Sequence, residues 1–181
     1  MRITLINGIS GDGMHPIENR VCKTAQALGS TDVFTVRDLD IHDCCGCFSC
    51  WTKTPGECVF RDDMTQILES MVHTDLLLYV SDIKAGFVSA QTKKAMDRMI
   101  PLLLPYIRIY HKECHHVPRY DLHCSLGVLL AGNPPPDERC VQIITETYQR
   151  YALNLHADRV FVKVVAENDA EEVLAHEARR H

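Results

Sequence analysis

One stretch, Asp75-Leu76-Leu77-Leu78-Tyr79-Val80-Ser81, is apolar in nearly every position, and it constrains the fold more than any other part of the chain. A strand with apolar side chains on both faces needs cover on both faces, which a half-solvated antiparallel sheet cannot give. Residues 2–7, 32–39, 125–131 and 159–165 are further strands, short and rich in β-branched or apolar residues. Between them run segments of helical period. Residues 16–28 carry Ile17, Val21, Ala25 and Leu28 on one face, and residues 64–71 follow a cap at Asp62 or Asp63. Residues 89–99 set Ala90, Ala95, Met96 and Met99 against Lys93, Lys94, Asp97 and Arg98. Prolines at 134 to 136 hold back a helix predicted over 138–153, and residues 170–178 close the series.

Five strands alternating with five helices call for parallel pairing, because each return to a parallel neighbour needs a crossover. The expected architecture is α/β, a flavodoxin-like, three-layer, doubly wound sheet of five parallel strands, built as a single domain over residues 1–181. Ligands of such sheets bind outside the carboxyl ends of the strands at the switch point, so the loops starting at Gly8, Leu39, Ser81 and Gly132 carry the interest. Residues 101–122 are too long for an ordinary connection. With Tyr106, Tyr110, His111, Cys114, His115, His116, Arg119 and Tyr120, they read as an irregular insertion serving as a subunit interface or substrate lid. A metal site among the histidines and Cys114 is a weaker alternative.

Five of the nine cysteines fall between residues 44 and 58. Cys44, Cys47, Cys50 and Cys58 have the spacing C-x2-C-x2-C-x7-C within a loop over 42–60, leaving Cys45 outside the pattern. Residues 2–7 read as a first strand rather than a signal peptide, which implies a cytoplasmic chain, and in a reducing compartment clustered thiols favour ligation or redox chemistry over disulfides. Four thiolates converging on a compact centre suit a [4Fe–4S] cluster, while free thiols and zinc remain the other readings. The greasy stretch 100–107 contains Pro101 and Pro105 and is far too short to cross a membrane. A net charge of -5, with no basic run longer than a pair, excludes a nucleic-acid partner.

The segment from Cys44 to Cys58, with Asp62-Asp63-Met64, Val88-Ser89-Ala90, Lys94 and Asp97-Arg98, resembles the NADPH-dependent FMN reductase family and its iron–sulfur flavoprotein branch. The resemblance implies FMN at the strand-end loops, NAD(P)H as substrate, and a homodimer or homotetramer. Its first flavin contact is the loop Ser10, Gly11, Asp12, Gly13, Met14 and His15, where glycines permit close approach but Asp12 adds a carboxylate. A second is Ser81, Asp82, Ile83, Lys84, Ala85, Gly86 and Phe87, with Phe87 as the ring to line the isoalloxazine. Gly132 and Asn133 form the third. By the same resemblance Cys44, Cys47, Cys50 and Cys58 would ligate a [4Fe–4S] cluster. The function expected is an FMN-dependent NAD(P)H oxidoreductase passing electrons to a small acceptor. The alternatives are a [4Fe–4S] flavoprotein electron carrier with a ferredoxin-like partner, and a flavin-free binding or assembly protein on the same scaffold. No catalytic side chain is expected, because the flavin carries the chemistry.

Overall fold

A computed structural model describes residues 1–11, 15–132 and 136–180. The central sheet holds β1 (Arg2–Asn7), β2 (Ser30–Thr35), β3 (Leu76–Lys84), β7 (Ser125–Ala131) and β8 (Arg159–Val165) in the order β2-β1-β3-β7-β8, every pair parallel. Counting only these five, the order is that of a flavodoxin-like doubly wound sheet, whose direction of winding reverses between β1 and β3. The short β4 (Phe87–Val88) turns back antiparallel on the end of β3. Ala85 and Gly86, both at positive φ, make the two-residue turn between them.

Alternation along the strands divides the core into two layers. Ile3, Leu5, Leu76, Leu78 and Val80 point to the face covered by α1 (Pro16–Leu28) and α6 (Ala170–Ala178), through Ile17, Val21, Ala25, Ala170 and Leu174. Ile6, Leu77, Tyr79, Leu126, Val128 and Leu130 point the other way, onto α3 (Met64–Val72), α4 (Ala90–Asp97) and α5 (Glu138–Leu155). Truncating one such residue, as in Leu78→Ala, would cost about 2–5 kcal/mol through lost transfer energy and the cavity left behind.

Two expectations need correction. The second strand ends at Thr35, and Val36–Asp38 is a single 3-10 turn that carries Arg37 back to a bidentate pair with the buried Glu18. The insertion is not irregular: β5 (Leu103–Tyr110) and β6 (Glu113–Pro118) form an antiparallel hairpin separate from the central sheet. His111 and Lys112, at φ 49° and 66°, are its two turn residues. His115 is buried and His116 faces Trp51, so the histidines are spread across the hairpin instead of converging.

Candidate functional site

A cleft of about 670 Å³ opens at the switch point, where β1, β3 and β7 end. Ile9 and Ser10 follow β1, Asp82, Ile83 and Lys84 finish β3, and Ala131 and Gly132 finish β7. His15, Pro16 and Ile17 enter from the start of α1, Pro136, Asp137 and Cys140 from the start of α5, and Glu167 from beyond β8. The close approach of α4 to the end of β1 requires Gly8, since a Cβ there would fall 2.0 Å from Thr92 Oγ1. Ser89 locks that corner: its hydroxyl donates to the Gly8 carbonyl, and the Ser89 oxygen accepts the Thr92 N–H at 3.0 Å.

Of the residues expected at the flavin, Ser10, His15, Asp82, Ile83, Lys84, Gly86 and Gly132 line this cleft. Asp12, Gly13, Met14 and Asn133 lie outside the described residues. Gly11 and Ala85 are exposed and do not line it, while Ser81 is fully buried, donating to the Asp82 carbonyl at 2.7 Å and accepting from Ser89 N–H at 3.0 Å. Phe87 is not the ring of the cleft. Its place in β4 turns it against the hydrophobic core, so the walls are aliphatic, from Ile9, Ile17, Ile83 and Ala131. Glu167 and Asp137 were not foreseen; the only signal for Asp137 was its place as a helix cap, where its side chain accepts the Arg139 N–H at 2.7 Å.

The rim of the cleft is charged. Ser10 gives its N–H to Asp82 Oδ1 at 3.1 Å and its hydroxyl to Asp82 Oδ2, and Lys84 Nζ stands 3.3 Å from Oδ2. His15 Nδ1 accepts the N–H of Ile17 at 3.3 Å and so caps α1.

A second, narrow cleft brings the cysteines together. Cys44, Cys45, Cys47, Cys50 and Cys58 all line it, with Phe48, Phe60, Ile100 and Pro101. Its enclosed space is about 40 Å³, room for a few waters, so anything larger sits at the mouth where Cys44, Cys45 and Cys47 are exposed. Gly46 and Phe48 both take left-handed φ, 65° and 54°, a strained choice for phenylalanine that curls the loop around its thiols. Short α2 (Ser49–Thr52) follows, and Trp51 Nε1 donates to the Leu103 carbonyl at 2.9 Å, tying the loop to β5. Hydrogen bonding from Ser49 lowers the Cys47 thiol from its ordinary value, whereas burial raises that of Cys50.

Beneath the thiols lies Arg98, only 2% exposed. Its Nη1 and Nη2 grip Asp62 at 2.7 and 3.0 Å, Nη1 also donates to the His42 carbonyl, and Phe60 lies under the guanidinium. Burial pushes the Asp62 carboxyl up, but Arg98 and the His42 N–H outweigh it and hold Asp62 below the usual carboxylate value. The Nε of Arg98 has no hydrogen-bond partner among the described residues; burial works against its charge, but Asp62 and, with it, Cys58 outweigh that and raise the guanidinium above its ordinary value. No group of three or more His, Cys, Asp or Glu side chains is arranged around a single metal ion among the described residues.

Strand order and cleft together define a flavodoxin-like fold with an open cleft at the reversal of winding. The profile of the NADPH-dependent FMN reductases matches residues 1–112, and the chain belongs to that family of oxidoreductases. It is 33% identical over 106 residues to an iron–sulfur flavoprotein of Methanocaldococcus jannaschii, covering 55% of this chain and 53% of that one. An iron–sulfur flavoprotein of Archaeoglobus fulgidus is 39% identical over 61 residues, covering 34% of this chain and 27% of the relative. The chain thus spans about half, or less, of the length of the curated relatives it matches. Among solved structures, an NAD(P)H:quinone oxidoreductase from Methanothermobacter marburgensis superposes with a TM-score of 0.66 at 12% identity, covering 99% of this chain and 94% of that one. An FMN-dependent NADH-azoreductase from Bacillus anthracis in complex with FMN gives 0.63 at 11% identity, covering 99% and 98%. At such identities these two share the fold.

The residues present fit a flavin in the volume and aliphatic walls of the first cleft, and Asp82 acts as a stand-in anion on the donors of Ser10. The cysteine loop fits an iron–sulfur cluster by its donor set, with a buried guanidinium to offset anionic sulfur. Each thiolate of a cubane binds a different iron, so its ligands stand farther apart than around one ion.

Proposed function

We propose that this chain is an FMN-dependent oxidoreductase that accepts a hydride from NAD(P)H and passes electrons to a small acceptor. The observation that carries it is the cleft of about 670 Å³ at the β1/β3 switch point, with aliphatic walls. FMN, when bound, would supply the acceptance of hydride and its release as electrons. The chain's part is to hold and shield. Ile9, Ile17, Ile83 and Ala131 wall the cleft, and Ser10 and Lys84 gather with Asp82 at the β3 end. The test is to titrate the purified protein with FMN and follow NADH and NADPH oxidation with a quinone or an azo dye as acceptor. Saturable flavin binding and flavin-dependent turnover are expected. A protein that neither perturbs the FMN spectrum nor is thermally stabilised by saturating FMN would instead be a flavin-free binding or assembly protein.

An iron–sulfur flavoprotein that passes single electrons to a ferredoxin-like partner is the second function supported, because four cysteines of the right spacing line one cleft over Arg98. We place the contact between copies of a homo-oligomer on the β5–β6 hairpin, where Tyr106, Ile107 and Ile109 are 63–72% exposed on a strand that, among the described residues, pairs only with β6.

A further inference from the structure

The donors at the end of β1 already hold an anion, and it belongs to the chain. Ser10 commits both its N–H and its hydroxyl to the Asp82 carboxylate, and Lys84 sits against the same Oδ2 at 3.3 Å. These are the groups that a phosphate reaching this rim would need. Among the described residues the neighbouring helix start offers little in their place: Pro16 has no N–H, and the Ile17 N–H is taken by the His15 ring. Asp137 and Glu167 add negative charge to the lining. A phosphate group must therefore strip Asp82 from Ser10 and then share a partly buried cleft with the freed carboxylate, two like charges at short range. The uncharged ring and ribityl chain of a flavin meet neither cost.

We propose that Asp82 is the specificity-determining residue of the cleft: its carboxylate cancels the affinity that a phosphate would add, so FMN binds no more tightly than phosphate-free riboflavin. This rests on the flavin function proposed above. An asparagine at the same place keeps an oxygen for Ser10 to donate to but carries no charge, and a serine removes the plug.

Flavin fluorescence titrations of the wild-type protein, Asp82→Asn and Asp82→Ser with FMN and with riboflavin test it, each variant's melting curve checking that it folds. In the wild type the FMN dissociation constant should equal or exceed that of riboflavin. Both substitutions should tighten FMN by about tenfold or more, the scale of one charge-assisted hydrogen bond released. Riboflavin is the internal reference in each protein: whatever a substitution does to the ring and ribityl contacts is common to both flavins, so the FMN-to-riboflavin ratio of dissociation constants should fall by about tenfold. A wild type that prefers FMN by more than about tenfold, or folded variants in which the FMN-to-riboflavin ratio does not move, overturns the role of Asp82 while leaving the flavin function intact. Binding of neither flavin by any of the three proteins overturns both.

Discussion

At the scale of single residues the most consequential pair is Arg98 with Asp62, whose side chains are 2% and 1% exposed. A charge pair so buried adds little net stability relative to an apolar pair, yet breaking it strands a guanidinium without its partner. Asp62→Asn should therefore cost about 3–5 kcal/mol in urea unfolding at neutral pH. The pH dependence has a definite sign. Because the folded Asp62 titrates below its unfolded value, its contribution is present above the unfolded value, about 4, and is lost as pH falls through the lower folded one. The gap between wild type and Asp62→Asn should thus narrow as the pH is taken below about 4; a gap independent of pH would mean that Asp62 contributes shape and not charge.

At the scale of elements, the hairpin β5–β6 is where chemistry on the surface exceeds what a monomer needs. Tyr106, Ile107 and Ile109 are exposed on a strand whose outer edge has no partner among the described residues. Ile107→Lys with Ile109→Lys should convert a concentration-dependent oligomer into a monomer in light scattering, with little loss of stability because neither side chain is in the core. An unchanged mass with altered turnover would make the hairpin a lid instead. His115, which the sequence offered as an interface residue, is a poor probe: it is buried, with Asn154 Oδ1 3.2 Å from its Nδ1. The central strands were legible because burial on both faces writes a continuous apolar run, as in Leu76 to Val80. The hairpin was not, because its turn uses His111 and Lys112 at positive φ in place of the usual asparagine and glycine, and Pro101 and Pro105 mask the strand before it. In the cleft, the loop positions Ser10, Asp82 and Lys84 could be read from the topology rule. Their bonding to one another could not, since it depends on β3 running on past the reversal of winding, where it carries Asp82 back to Ser10.

At the scale of the whole molecule, two clefts sit on one scaffold, and the chemistry of the second decides how electrons could leave the first. The thiols of Cys44, Cys47, Cys50 and Cys58 line one cleft, but so does Cys45, which the spacing excludes. A cubane uses four thiolates, so one of the five cysteines around this cleft is spare. Protein prepared or reconstituted without oxygen should carry about four irons and four acid-labile sulfides per chain. Cys50→Ser, at a half-buried position in the pattern, should abolish that content, whereas Cys45→Ser should retain it. The only tryptophan, Trp51, stacks on Phe48 at 5.1 Å between ring centroids, so its fluorescence provides a second readout of loop occupancy that does not depend on iron analysis. Loading should quench it in the wild type and in Cys45→Ser but not in Cys50→Ser. Equal loss of iron in both variants would mean that Cys45 is itself a ligand, and absence of iron from an anaerobic, reconstituted wild type would leave the loop a thiol element and the flavin cleft to work alone.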